Sequence, residues 1–253
     1  MFDNPLRKVW AAGGCVVNGW VGMPNAFGAE VLARQGWDSV TVDLQHGLID
    51  FQMAVSCIQA IDATPAVALV RPPWNDAAII MKLLDAGARG VICPLVNSAA
   101  EAKALVDACR YPPAGRRSFG PVRAAQVYGA DYWQRADDAI LVFAMIETRE
   151  AMAALDDILA VPGLDGVYIG PSDLGLSLVG KPDPEPTDAT VIAAVAHIRE
   201  RAVAHGKIPC CHNMTPEHAA KMAKQGFRLV TVGNDTRFLA LGAAAAVRTF
   251  RTA

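Results

Sequence analysis

Eight short, almost uninterrupted apolar runs, each followed by a stretch of helical character, constrain this chain more than any other feature. They read CVVNGWV (15–21), SVTVDL (39–44), AVALVR (66–71), GVICPLV (90–96), ILVFAMIE (140–147), GVYIG (166–170), KIPCCH (207–212) and RLVTVG (228–233). Strands that are apolar on both faces belong to a parallel sheet covered on both sides, and the intervening helices supply the cover and the crossovers. Eight such units predict an α/β fold, a closed (β/α)8 TIM barrel rather than an open doubly wound sheet. Helix starts are well punctuated: Ser98 with Glu101 fits a capping box, Thr215 before Pro216 fits an N-cap and first helical position, and Asn75 and Asp76 precede AAIIMKLL.

A chain of 253 residues, 53% of them hydrophobic, is enough for one sizeable core, so residues 1–253 are expected to form a single barrel domain. The net charge of −2, with both signs interspersed, leaves no broad basic face for nucleic acid and no polybasic anchor for a membrane. The start MFDNPLRKVW lacks the apolar core of a signal peptide, and charged or turn residues interrupt every apolar run short of a membrane span. A cytoplasmic protein acting on small molecules is the expectation. Cys15, Cys57, Cys93, Cys109, Cys210 and Cys211 form no CxxC pair and read as buried, unreactive thiols, with the adjacent last two on opposite faces of a strand.

In a barrel, residues at the C-terminal ends of the strands carry the chemistry. Asp43, Gln45 and His46 end or follow the second strand, Arg71 ends the third, Glu147 ends the fifth, and Ser172 and Asp173 follow the sixth. A carboxylate buried at such a position needs a cation, a metal or hydrogen-bond donors. Glu147 could simply pair with Arg71, but the rim also gathers a histidine, an amide and a second acid, with too few cations to match. Two carboxylates and water suit a hard divalent ion such as Mg2+ or Mn2+. Arg71, held by the two prolines after it, is a partner for a substrate carboxylate or enolate, or for an ordinary ion pair. His197, His205, His212 and His218 read as structural or surface residues. No lysine ends a strand, which disfavours imine catalysis. The long segments 111–133 and 180–188 are both expected on the active face, the first as a lid or subunit contact whose Arg116, Arg117 and Arg123 meet either an acceptor substrate or a neighbouring subunit.

The segments VDLQHG, VRPPWND, LLDAGARGVICPLV, RYPPAGRRS, MIETREA, LDGVYIGPSDL and VTVGND follow one another in the order found in the HpcH/HpaI family of metal-dependent pyruvate aldolases. The resemblance covers nearly the whole chain, and AMIETREA with RRSFGP resembles the hydroxyketoacid aldolase branch. It implies a barrel assembled as a homo-hexamer of paired subunits with an exchanged C-terminal helix, for which ALGAAAAVRTFRTA is available. It also implies that Glu147 and Asp173 ligate the metal (Mg2+ or Mn2+, with Co2+ or Zn2+ as further options), with no organic cofactor. Arg71 would then stabilise the enolate oxygen, the N–H groups of Ser172 and Asp173 would hold the substrate carboxylate, and His46 with Asp43 would form a base system working through water.

Trp20 corresponds to an aromatic at the family's pocket mouth, although plain packing would also explain it. Asp85, placed at the bottom of its own barrel, would serve a neighbouring subunit's site. Gln45 stands where many relatives carry a glutamate, and Met145 where better-known members carry a glutamine. The implied reaction is reversible aldol cleavage of 4-hydroxy-2-ketoacids to pyruvate, or hydroxypyruvate, and an aldehyde. The alternatives are an oxaloacetate-type decarboxylase or a coenzyme A thioester lyase on the same scaffold, and a noncatalytic metabolite-binding barrel.

Overall fold

A computed structural model describes residues 3–253 as a closed parallel barrel of eight strands in sequence order. The first half runs α1 (Pro5–Ala11), β1 (Val16–Val21), α2 (Ala26–Ala33), β2 (Ser39–Asp43), α3 (Phe51–Asp62), β3 (Val67–Arg71), α4 (Ala77–Asp85) and β4 (Gly90–Cys93). It continues with α5 (Ala99–Cys109), α6 (Val122–Tyr128), α7 (Tyr132–Ala139), β5 (Leu141–Ile146), α8 (Arg149–Ala153), α9 (Leu155–Leu159) and β6 (Gly166–Ile169). The last elements are α10 (Pro171–Val179), α11 (Ala189–Ala204), β7 (Ile208–Asn213), α12 (Pro216–Lys224), β8 (Leu229–Val232) and α13 (Asp235–Thr252). All eight expected strands form. The side chains of Asp76, Ser98 and Thr215 accept hydrogen bonds from the N–H groups of Ala78, Glu101 and His218, as the cap residues require.

Alternation along each strand divides the apolar residues between two cores. Val40, Val42, Val91, Val167 and Cys211 point outward to the helices. Val16, Leu69, Phe143, Tyr168 and Cys210 point inward and fill the barrel. The two adjacent cysteines thus face opposite ways, and all six remain free thiols. The first helix closes the bottom of the barrel: Leu6 joins the interior core, and Trp10 meets Phe143 edge to face at 6.4 Å. Lys207 is also at the bottom, donating to the carbonyls of Val161 and Leu164, far from the rim where an imine-forming amine would have to stand.

The interior also carries a polar layer. Asn18 donates through Nδ2 to Thr41 and Thr231, and its Oδ1 accepts from Ser39 and Thr41. Thr231 in turn meets the Tyr168 hydroxyl at 2.7 Å. A buried polar cluster persists when its members satisfy one another, and this one links β1, β2, β6 and β8 below the barrel mouth.

Segment 111–133 is not on the active face. It follows α5 and leads through α6 and α7 into β5, so it belongs to the bottom of the barrel. Its arginines bind the helix ends there: Arg117 pairs with Asp85 at 2.7 Å, and Arg123 pairs with Asp62 at 2.8 Å. The correction follows from counting elements, because a segment after a crossover helix must enter the next strand from below. Segment 180–188 does reach the active face, where Pro184 lines the central cavity.

The C-terminal helix packs on its own barrel only through its first turn, where Asp235 and Phe238 meet the segments after β1 and α2, and runs into solvent from Leu239 onward. Of its 18 residues only Asp235 is buried, while Leu239, Leu241, Val247 and Phe250 are exposed. An apolar groove of about 910 Å³ lies open beside it, lined by residues including Phe27, Val31, Trp37, Ala219, Ala223 and Phe238. No helix among the described residues is long and apolar enough to cross a membrane.

Candidate active site

A cavity of about 430 Å³ opens at the C-terminal end of the barrel. Trp20, Asp43, His46, Arg71, Met145, Ser172, Asp173 and His212 all contribute to its lining, so side chains from β1, β2, β3, β5, β6 and β7 or the loops after them meet there. Asp43 in its wall and Glu147 behind Gly170 are two buried carboxylates in opposite circumstances.

Asp43 ends β2 in register with Arg71 at the end of β3, so the two side chains emerge together. Arg71 grips it with both arms of its guanidinium, Nε to Oδ1 at 2.8 Å and Nη2 to Oδ2 at 2.6 Å. Trp20 Nε1 adds a third donor, and the backbone N–H groups of Gln45 and His46 add two more. Burial raises the cost of ionising Asp43, but the Arg71 hydrogen bonds and charge, with the Trp20 and Gln45 donors, outweigh it and hold the carboxyl below its ordinary value. The guanidinium also lies 4.8 Å from the centre of the Trp20 ring, a cation–π contact that fixes its plane. Arg71 therefore belongs to Asp43, and the simple alternative of a Glu147–Arg71 pair is not what forms.

Glu147 follows β5 and is just as buried, at 2% exposure. Its only hydrogen bond among the described residues comes from the Leu95 N–H to Oε1, at 2.9 Å. The strand expected to run through Val96 ends at Cys93, because Pro94 cannot donate to a neighbouring strand and Leu95 takes a left-handed φ of 53°. A non-glycine residue in that conformation costs about 1 kcal/mol, and here the turn aims an N–H at Glu147. Burial raises Glu147 to about 7; the Leu95 N–H offsets part of that rise, while repulsion from Asp173 adds to it and the charge of Arg71 opposes it least. Gly170 stands in the cavity wall in front of it, where an added Cβ would fall 2.3 Å from Glu147 Oε2. Only glycine leaves that oxygen room.

Asp173 is exposed in the first turn of α10. That helix begins with Pro171 after Gly170 and has no side-chain cap, so the N–H groups of its first turn face the cavity without an intrahelical partner. Among the described residues no three His, Cys, Asp or Glu side chains converge on one point. Two carboxylates, one of them buried and nearly without donors, nevertheless fit a hard divalent cation that keeps water or substrate oxygens as its other ligands. Glu147, Asp173 and the clearance at Gly170 therefore compose a donor set suited to such an ion.

The remaining predicted residues fall in different places. His46 is exposed at the rim, and Asp43 reaches it only through the backbone N–H. Trp20 is 3% exposed, part of the cavity floor and bonded to Asp43. Gln45 does not line the cavity, and its buried Oε1 has no hydrogen-bond partner among the described residues. Asp85 ends α4 at the bottom of its own barrel and binds Arg117, whose guanidinium packs on Tyr111 and Tyr132. His212, expected to be structural or superficial, stands in the cavity wall instead. The signal is in the sequence, since His212 stands near the end of an apolar strand on the same rim as Asp43 and Glu147.

A (β/α)8 barrel with an Asp–Arg pair and two further carboxylates gathered at the C-terminal ends of its strands has the layout of barrel enzymes that act on small molecules there. Residues 18–240 match the HpcH/HpaI aldolase/citrate lyase family, and the chain belongs to that family. It is 43% identical to the hydroxypyruvate/pyruvate aldolase of Rhizorhabdus wittichii, over 95% of this chain and 96% of that protein. It is 38% identical to the 4-hydroxy-2-oxo-heptane-1,7-dioate aldolase of Salmonella dublin, over 98% of this chain and 94% of the relative. Among solved structures, an HpcH/HpaI aldolase/citrate lyase family protein from Burkholderia cenocepacia J2315 superposes with a TM-score of 0.89 at 28% identity, covering 98% of this chain and 97% of that one.

Proposed function

We propose that the protein is a divalent-metal-dependent aldolase that reversibly cleaves 4-hydroxy-2-ketoacids to pyruvate, or hydroxypyruvate, and an aldehyde. The observation that carries the reading is Glu147, a carboxylate buried with one hydrogen bond and raised to about 7, beside a second carboxylate and behind a glycine that leaves its outer oxygen free. Glu147 and Asp173 would hold Mg2+ or Mn2+, which when bound supplies Lewis acidity at the keto oxygen of the substrate.

The chain's own groups account for the rest. The open N–H groups at Ser172 and Asp173 receive the substrate carboxylate, as helix N-termini receive anions. Arg71, fixed by Asp43 and Trp20, presents positive charge where the keto oxygen gains negative charge as a proton leaves the neighbouring carbon. His46, exposed at the rim, moves protons to and from that carbon and the aldehyde oxygen through water. A cavity of about 430 Å³ suits a short ketoacid and a small aldehyde.

The chain is also read as part of a homo-hexamer working in the cytoplasm. The exposed apolar side of α13 and the open groove lined by Phe27, Val31 and Trp37 support exchange of that helix between paired subunits. Asp85 then serves a neighbour's site.

Exchange of the methyl protons of pyruvate in deuterated water, followed by NMR with Mg2+ present and after chelation, tests the chemistry. Exchange that requires the metal and disappears in Glu147→Ala is the expected result. Absence of exchange from pyruvate and hydroxypyruvate under every metal would reject it.

A further inference from the structure

His212 is the penultimate residue of β7, on the wall that the mechanism leaves without a role. Its Nδ1 lies 2.9 Å from the Tyr168 hydroxyl, and that hydroxyl lies 2.7 Å from Thr231 Oγ1. Thr231 Oγ1 also accepts from Asn18 Nδ2 at 2.8 Å. The Asn18 amide nitrogen only donates, so it takes one lone pair of Thr231 Oγ1 and leaves the Thr231 proton free to give; passed to Tyr168, it leaves the Tyr168 proton for His212 Nδ1. Nδ1 is then an acceptor, and the ring carries its hydrogen on Nε2. Burial, with the positive charge of Arg71, lowers His212 to about 4, so the neutral ring persists at physiological pH. Nε2 bonds to no described residue, the ring is partly exposed to the cavity, and Trp20 braces it edge to face at 4.9 Å.

We infer that His212 is a specificity-determining residue whose Nε2–H donates a hydrogen bond to an oxygen on the third carbon of the ketoacid, favouring 3-hydroxy-2-ketoacids such as hydroxypyruvate over pyruvate as the nucleophilic substrate. The inference rests on the ketoacid orientation proposed above. With the carboxylate at the start of α10 and the keto oxygen toward Arg71 on β3, the third carbon faces the remaining wall. In a closed barrel of eight strands in sequence order, β1 lies across from β5, and that wall is Trp20 on β1 with His212 two strands away on β7. Trp20 has committed its N–H to Asp43. His212 offers a neutral ring donor there, beside Asn234 and Thr236 after β8, and a donor facing a methyl group instead of a hydroxyl is left unpaired, which is how hydrogen-bonding sites discriminate.

The test compares C3 proton exchange of hydroxypyruvate and pyruvate in deuterated water with Mg2+-loaded wild type, His212→Leu, His212→Gln and Tyr168→Phe. The ratio of the two kcat/KM values should fall about tenfold in favour of pyruvate in His212→Leu, and largely recover in His212→Gln, whose amide can donate. Tyr168→Phe, which releases the tautomer but keeps the ring, should lie between. An unchanged ratio in His212→Leu, or a Gln variant no better than Leu, would overturn the role of His212 while exchange of both ketoacids upheld the aldolase reading. Wild type that exchanges neither would reject both. Nitrogen-15 NMR of the wild-type histidine rings supplies a check that needs no variant to fold: His212 should be the Nε2–H tautomer near neutral pH, and an Nδ1–H tautomer would contradict the inference.

Discussion

The two sides of the cavity solve the same problem in opposite ways. Asp43 and Glu147 both stand at the C-terminal ends of barrel strands, and both are almost fully buried, at 3% and 2% exposure. Asp43 has a two-armed arginine, an indole N–H and two backbone donors, and its carboxyl is held below the ordinary range. Glu147 has one backbone donor and an acidic neighbour, and rises to about 7. A fully compensated carboxylate positions its partner, whereas a poorly compensated one leaves a place for a cation that the protein does not supply. Position on a strand brings a residue to the rim, but only the donors around it decide which of the two tasks it performs.

Neutralising each carboxylate should therefore have opposite effects on stability. Glu147→Gln keeps an acceptor for Leu95 and removes a charge that is costly to bury, so the metal-free protein should melt higher above neutral pH than wild type. Its metal-dependent proton exchange should fall on the order of a thousandfold or more. Asp43→Asn leaves the Arg71 guanidinium partly unpaired, and breaking a buried ion pair costs about 3 kcal/mol. It should melt lower at every pH above the acid range and should lose catalysis without losing metal. If both variants shift the melting temperature in the same direction, the contrast between the two sides is wrong.

Acidity gives a second handle. Because the folded-state value of Glu147 is raised from 4.5 to about 7, the native metal-free chain keeps a proton that the unfolded chain has released. The stabilisation is complete below about 4.5 and is lost as pH rises through about 7, a change of about 3 kcal/mol over that window. Chelating the metal should accordingly depress the melting temperature little in mild acid and strongly in mild alkali, as thermal scans across pH would register. Asp43 contributes with the opposite sign, since its lowered value gives stability that is lost only as pH falls through the acid range.

The smallest effect concerns the glycine between the two acids. Gly170→Ala would bring a methyl group against Glu147 Oε2 and displace it, and loss of such positioning weakens metal affinity by about tenfold. A titration showing unaltered affinity would mean that Glu147 does not use that oxygen for the metal.

Much of this was legible in the chain, and the misses have physical causes. The eight strands are apolar on both faces, and their alternation separates Cys210 from Cys211 as it must. The rim residues follow from strand ends alone. Helix α1 is announced by Asn4 followed by Pro5, a cap and first-turn pair whose side-chain bond to Leu6 forms in the fold, yet seven residues give too little periodicity to reveal it. Segment 111–133 reads as a lid because it is long and basic, but its Arg117 and Arg123 pair with the acidic ends of α4 and α3. The partner of Arg71 depended on register, which pairs Asp43 with Arg71 across adjacent strands. Sequence spacing does not reveal that. His212 reads as structural in the sequence because an isolated histidine is usually a satisfied one, and its place depends on Tyr168 and Thr231, which lie 44 and 19 positions away but adjoin it in the barrel.

The most direct test of the central claim is a calorimetric titration of metal-free protein with Mn2+ near neutral pH, run in two buffers so that released protons are counted, for wild type, Glu147→Gln and Asp43→Asn. The account predicts one ion per wild-type chain with a fraction of a proton released, release that vanishes in alkali where Glu147 is already ionised, loss of binding in Glu147→Gln, and binding retained in Asp43→Asn. Equal binding and equal proton release in wild type and Glu147→Gln would contradict it.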